Sequence, residues 1–358
     1  MKIATITYHR AINYGAILQC YALQKSLHDL GYESEVLDYR CAFLEKQYRK
    51  KSITNLPTLR ELAVMIIKNG NAKNNQDNFR LFMENEMTVS PRAYTDQNIG
   101  QSNQSYDKFI VGSDQVWSYF CSGFDQRYFL DFVQDNTKKI SYAASFGVDS
   151  IPNELQDVYF PLISSFNKIS VREEQAKSLV SQVAKRDSEV VLDPTLLLDK
   201  KSWSSLASGK FKNRKYVLLY MIAESKSTID FAKNKAKENG CEVIYISDRL
   251  FKKRGVTTIS KVPVYDWIDL FLNADFVVTN SFHGLAFSIN FEKQFYADLL
   301  PNAKVNSRIL NILKTFDFEN RLISYNKDES ILDFSDSNKV LDKLRSKSLS
   351  FLVSSLNG

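Results

Sequence analysis

His283 is one of three histidines in the chain, and its neighbours give an imidazole the surroundings it needs to do chemistry. The run Thr279-Asn280-Ser281-Phe282-His283-Gly284 follows the apolar Phe276-Val277-Val278 and precedes a longer apolar stretch from Leu285 to Phe291. A β-branched run passing through small polar residues and a glycine into an apolar segment predicts a strand feeding the start of a helix. The free N–H groups and positive dipole end at such a helix start favour a bound anion and a neutral imidazole. Proton transfer beside an anion is the chemistry this pattern suggests, although capping or packing would place a histidine there as well.

Three more strand-end loops carry candidate groups. Arg10, Asn13, Tyr14 and Gly15 lie in the first, between a strand over residues 2–8 and a helix over 16–30. The second, Gly112-Ser113-Asp114-Gln115-Val116-Trp117, offers a carboxylate, an amide and an indole. The third, Ser170-Val171-Arg172-Glu173-Glu174, offers a guanidinium. Each has an ordinary structural reading beside the functional one. Asp114 fits an N-cap for a following helix, Arg172 an exposed helix-start partner for Glu173 or Glu174, and Trp117 a core residue.

These loops need a frame, and the β-then-α alternation supplies one. Strands are predicted at 34–39, 109–112, 139–144, 169–171 and 189–195, then at 216–221, 242–246 and 276–279, with helices between them, the order of doubly wound parallel sheets. The fold class is therefore α/β, with a first domain over 1–200 carrying a basic insertion at about 41–100. A second domain over 201–358 ends in a helical tail whose apolar positions pack on a domain surface. Asp193-Pro194 reads as a turn at the junction.

At 358 residues with 44% hydrophobic and 25% charged residues, the chain has an ordinary globular composition with room for two cores. Its net charge of +6 is modest, and residues 41–80 carry an excess of five positive charges. That segment reads mainly as a solvated face; an interfacial helix over Leu62 to Ile67, touching membrane or a partner, is the other reading. No nucleic-acid partner is expected. Cys20, Cys41, Cys121 and Cys241 lack C-x-x-C spacing, which argues against a zinc site or a disulfide framework and for reduced thiols in the cytoplasm. No apolar run approaches bilayer length, and Met1 to Tyr8 reads as a first strand rather than a leader. Walker A, H-E-x-x-H and G-x-G-x-x-G patterns are absent from the sequence.

Taken in order, the four loops together with Val191 to Leu198, Asp266-Trp267 and Asn306-Ser307-Arg308 resemble the polysaccharide pyruvyl transferase family from residue 1 to about 325. The resemblance implies two Rossmann-like domains facing a cleft, a GT-B-like arrangement. It also implies transfer of pyruvate from phosphoenolpyruvate onto a saccharide as a ketal, in making capsule, exopolysaccharide or cell-wall polymer. Phosphoenolpyruvate would then be a co-substrate and no further cofactor or metal is expected. The acceptor could be lipid-linked, which would set the protein at the inner face of a membrane.

On that reading His283 is the acid-base residue, and Asp114 accepts a proton from a sugar hydroxyl or orients it. Arg172 and Arg308 clamp the donor, with Asn280, Ser281 and the N–H groups around Gly284 beside its phosphate. Arg10, Asn13, Tyr14, Gly15, Gln115 and Trp117 face the acceptor. Some relatives have an arginine two positions before the motif histidine, where this chain has Ser281. A sugar-nucleotide glycosyltransferase is the alternative, since the same cleft and helix ends would hold a diphosphate.

Overall fold

The computed structural model describes residues 1–48, 76–248, 253–300, 306–325 and 330–358. Residues 49–75, with the whole of the basic excess and of the 62–67 stretch, lie outside the described residues.

Every named strand pair is parallel. The first sheet holds β1 (Lys2–Ile6), β2 (Glu33–Tyr39), β3 (Val89–Tyr94), β4 (Lys108–Val111), β5 (Lys139–Ala144), β6 (Lys168–Val171) and β7 (Glu189–Val190), in the order β3-β2-β1-β4-β5-β6-β7. The second holds β8 (Tyr216–Tyr220), β9 (Glu242–Ile246), β10 (Thr257–Ile259), β11 (Phe276–Thr279) and β12 (Gln294–Ala297), in the order β10-β9-β8-β11-β12. Strand order reverses between β1 and β4 in one sheet and between β8 and β11 in the other. Crevices at such reversals, beyond the carboxyl ends of the strands, are where open α/β sheets bind ligands.

The buried, apolar centres of these strands match the sequence reading. β10 and β12, the two edges of the second sheet, add to the strands it predicts, and two elements differ from it. The region read as an insertion contributes β3, an edge strand in which Pro91 and two exposed neighbours hid the pattern; only an edge tolerates a proline this way. The predicted strand at 189–195 is cut to two residues, because Pro194 starts a short 3₁₀ turn capped by Asp193.

The helices that matter to the site are α1 (Tyr14–Asp29), α2 (Ala42–Tyr48), α3 (76–86), α4 (Asn153–Ser164), α5 (Glu174–Ala184), α6 (Lys200–Ser204), α7 (Lys226–Glu238), α8 (Val264–Asn273), α9 (Phe282–Asn290), α10 (Asn306–Thr315) and α11 (Ser335–Asn357). One continuous core joins α1 to the segment Leu196–Leu198, to Trp203, and to α8, α9 and α11. Trp203 and Asn290 both donate to the Thr195 carbonyl (3.0 and 3.2 Å), so the connection between the sheets is bonded to α9. The tail helix α11 returns to the first sheet: Ser348 accepts the Leu192 N–H at 3.0 Å, and the Tyr142 and Phe351 rings meet. No described helix is long and apolar enough to cross a membrane.

Candidate active site between the two sheets

Four of the six residues in the 279–284 motif brace the turn. Asn280, fully buried, accepts the Ile222 N–H (2.9 Å) and donates to the Ala223 carbonyl (2.7 Å), tying together the loops after β8 and β11. Ser281 is the N-cap of α9, and its hydroxyl takes the Gly284 N–H at 3.3 Å. A Cβ on Gly284 would stand 2.3 Å from the Thr279 hydroxyl, so the glycine serves close packing. These three residues were expected at the donor phosphate. The polar groups of Ser281 and Gly284 are occupied within the turn and those of Asn280 by the loop after β8, which leaves His283 as the group the motif presents.

The His283 ring is nearly buried, edge-on to Phe282, with Nε2 3.7 Å from Asp193 Oδ2 and no hydrogen-bond partner among the described residues. Its other side lies against the start of α1. A Cβ at Gly15 would fall 2.0 Å from His283 Nδ1, so this glycine makes room for the imidazole rather than for an acceptor. Gly15→Ala should therefore displace His283 and cut turnover at least tenfold while the far-ultraviolet circular dichroism spectrum is kept. Unchanged turnover would show that the ring's position is immaterial.

Asn13 and Tyr14 of the same loop are also corrected. Asn13 caps α1 through the Ala16 N–H (3.2 Å). Tyr14 donates to the Val262 carbonyl (2.7 Å) and stacks on Trp267, a brace between the two halves. Arg10 pairs with Asp38 at 2.7 Å. Trp117, expected to face the acceptor, is fully buried, donates to the Tyr128 carbonyl (3.2 Å) and stacks on Phe129; it is core, with no face to offer a sugar.

Asp193 sits at the centre of the site. Its Oδ2 accepts from Ser113 and from Arg172, each at 2.9 Å, and its Oδ1 accepts the Thr195 N–H and hydroxyl at 3.0 and 2.7 Å. Burial alone would raise this carboxyl, but the nearby His283 and Arg172 and the Thr195 bonds outweigh it and hold Asp193 ionised far below the usual carboxylate range. Sequence reasoning took Asp193-Pro194 for a turn only. Asp193 does cap that turn, and the clues to more were its place at a strand end, like the other candidates, and within the Val191 to Leu198 stretch of the family resemblance.

Arg172 is buried, not exposed, and its guanidinium lies 4.6 Å from the Phe282 ring centre. One of its nitrogens binds Asp193, and Nε stands 3.6 Å from Glu173; Nε and the second terminal nitrogen lack hydrogen-bond partners among the described residues. Glu173 is fixed in turn by the Ser145 hydroxyl at 2.7 Å. Arg308, on α10, is buried too. With its amide oxygen turned to the guanidinium, Gln115 accepts from both terminal nitrogens of Arg308 (2.9 and 2.5 Å). No carboxylate lies within 4 Å of Arg308 among the described residues, and its Nε is unpartnered. Burial first, and the like charge of Arg172 second, bring its pKa down to about 10.

Asp114 borders the same space. No helix follows it, so it is not an N-cap; it bridges Ala144 through the backbone, and its φ is +83°. A non-glycine residue held there carries strain of about 1–3 kcal/mol, which clusters at functional sites. The arrangement thus brings Asp114, Gln115, Arg172 and Asp193 from the first sheet to His283 and Arg308 from the second. It can hold a small dianion with directed N–H groups and present an acid-base side chain to it.

The model for the polysaccharide pyruvyl transferase family matches residues 13–297. No curated protein sequence matches the chain significantly. Solved structures that resemble it include UDP-GlcNAc 2-epimerase from Neisseria meningitidis bound to UDP-GlcNAc, at 11% identity and TM-score 0.44, covering 97% of this chain and 100% of that one. UDP-N-acetylglucosamine 2-epimerase from Rickettsia bellii resembles it at 8% identity and TM-score 0.49, with coverages of 100% and 97%. The glycosyltransferase SnogD from Streptomyces nogalater does so at 9% and 0.38, with 98% and 95%. With the ordered strand-end motifs, the parallel sheets and a family match over most of its length, this chain belongs to the polysaccharide pyruvyl transferase family.

Proposed function

We propose that this protein transfers the pyruvyl group of phosphoenolpyruvate onto two hydroxyls of a saccharide, forming a ketal and releasing phosphate. The observation that carries this reading is Arg308, a buried guanidinium with no carboxylate partner among the described residues, set beside the free N–H groups of Arg172. A buried charge left unpaired is costly and calls for an anion. Phosphoenolpyruvate brings two anionic groups within a few bonds of each other, matching two guanidiniums.

The chemistry then runs as follows. His283 delivers a proton to the methylene carbon while one acceptor hydroxyl adds to the neighbouring carbon, its proton passing by way of Asp114 and solvent to restore His283. The carbon–oxygen bond to phosphate breaks, and the second hydroxyl closes the ring, its proton leaving with the phosphate. Protonated carbon, two new C–O bonds and one departing phosphate balance without any co-reactant, so phosphoenolpyruvate serves as co-substrate and no cofactor is invoked. Asp193 holds His283 and Arg172 in register. Polymer synthesis on the cytoplasmic side, on a free or lipid-linked saccharide, is the setting this reading implies.

Thermal denaturation with candidate donors tests it. Phosphoenolpyruvate at about 100 times its dissociation constant should add about 2.7 kcal/mol of stability and raise Tm by several degrees. UDP-sugars should not. Stabilisation by a UDP-sugar alone would replace this reading with glycosyl transfer.

A further inference from the structure

A cavity of about 490 Å³ opens on the first sheet, at the carboxyl ends of β1 and β2, away from His283. Tyr8, Tyr39, Phe79 and Tyr128 give it aromatic walls, and Leu44 of α2 and Met83 of α3 face it from the other side. That volume lies in the range of small-molecule sites.

The charged groups lining it are already matched. Arg10 binds Asp38 at 2.7 Å, Arg80 binds Glu84 at 3.0 Å and Asp77 at 3.4 Å, and Glu45 stands 3.6 Å from Arg40. Buried Asp38 also lies 3.4 Å from His9 Nε2 and 2.8 Å from Arg40. A diphosphate would have to break these pairs. A polyhydroxyl ligand would not: its hydroxyls can share the exposed edges of paired guanidiniums and carboxylates, and its C–H faces can lie on the aromatic rings.

The cavity also shares a wall with the site between the sheets. Tyr8 donates to the Gln115 carbonyl at 2.9 Å, and the Gln115 side chain holds Arg308. Thr7 donates to the Ser113 carbonyl at 2.9 Å, and Ser113 in turn binds Asp193. The cavity therefore opens beside the β1/β4 crevice where Asp114 stands.

We infer that this cavity is the saccharide acceptor site, taking an uncharged unit of one or two sugar rings whose reacting end extends past Tyr8 toward Asp114. The inference rests on the pyruvyl-transfer reading. It divides the two substrates by charge: the multiply anionic donor goes to Arg172 and Arg308, and the hydroxylated acceptor to a cavity with balanced charge.

Leu44→Trp and Met83→Trp fill the cavity from two separate helices. Labelled full-length protein is to be applied to an array of mono- to tetrasaccharides covering hexoses and N-acetylhexosamines, with the phosphoenolpyruvate Tm shift recorded for each variant. The wild type should be retained on at least one related set of saccharides. Both variants should lose that retention at least tenfold and keep the phosphoenolpyruvate shift. Retention unchanged in both variants, or no retention of the wild type on any saccharide, overturns the acceptor assignment. Loss of the phosphoenolpyruvate shift in the wild type instead overturns the donor reading.

Discussion

His283→Ala should lower phosphate release from phosphoenolpyruvate by about 10³-fold, within the 10²–10⁴ that general acid-base groups contribute. Phosphoenolpyruvate should still raise Tm, because the proposed function has the donor held by Arg172 and Arg308 rather than by the imidazole. The ring packs on Gly15 and Phe282, so truncation to alanine also leaves a gap. His283→Gln keeps most of the volume and a hydrogen-bonding end but cannot carry a proton. It should be as inactive as the alanine variant and more stable. Activity in the glutamine variant would make His283 a packing residue, and loss of the phosphoenolpyruvate shift in both variants would make it a binding one.

Arg308→Met should have opposite effects on stability and on binding. Arg308 is buried, burial pulls its pKa down, and no carboxylate compensates it within 4 Å among the described residues. Replacing such a charge by an apolar side chain of similar length is expected to stabilise the fold by about 1–2 kcal/mol. The affinity for phosphoenolpyruvate should fall about 100-fold, about 2.7 kcal/mol. Differential scanning calorimetry with and without phosphoenolpyruvate reads both quantities. A variant of lower Tm with an unchanged ligand shift would make Arg308 structural. Arg172 could not serve this test: removing it strips Asp193 of a bonded cation in a buried setting, at a cost of about 3–5 kcal/mol, so folding and binding would fall together.

The strands were legible because their apolar runs are buried along parallel sheets, and the helices because Asn13, Ser225 and Ser281 cap them where the sequence places short polar residues. The edge strands β3, β10 and β12 were not; β3, with Pro91 and two exposed positions, lacks the buried pattern that marks central strands. Among the candidate residues, His283, Asp114, Arg172 and Arg308 are brought to one place. The polar groups of Ser281 and Asn13 are spent on their own turns and those of Asn280 on the loop after β8, uses that residue type and spacing cannot distinguish from ligand binding.

By itself, then, the sequence determined the β-α alternation and the strand-end positions of the reactive side chains, because local periodicity and capping are written in neighbouring residues. Only the tertiary structure decided which of those side chains meet. Asp193 and His283 are 90 positions apart, and their approach depends on the bonding of α9 to the connection after Asp193 and on the missing Cβ at Gly15. Burial decided the rest: it turned Trp117 into core and made Arg308 an unpaired charge, and burial is a property of everything packed around a residue.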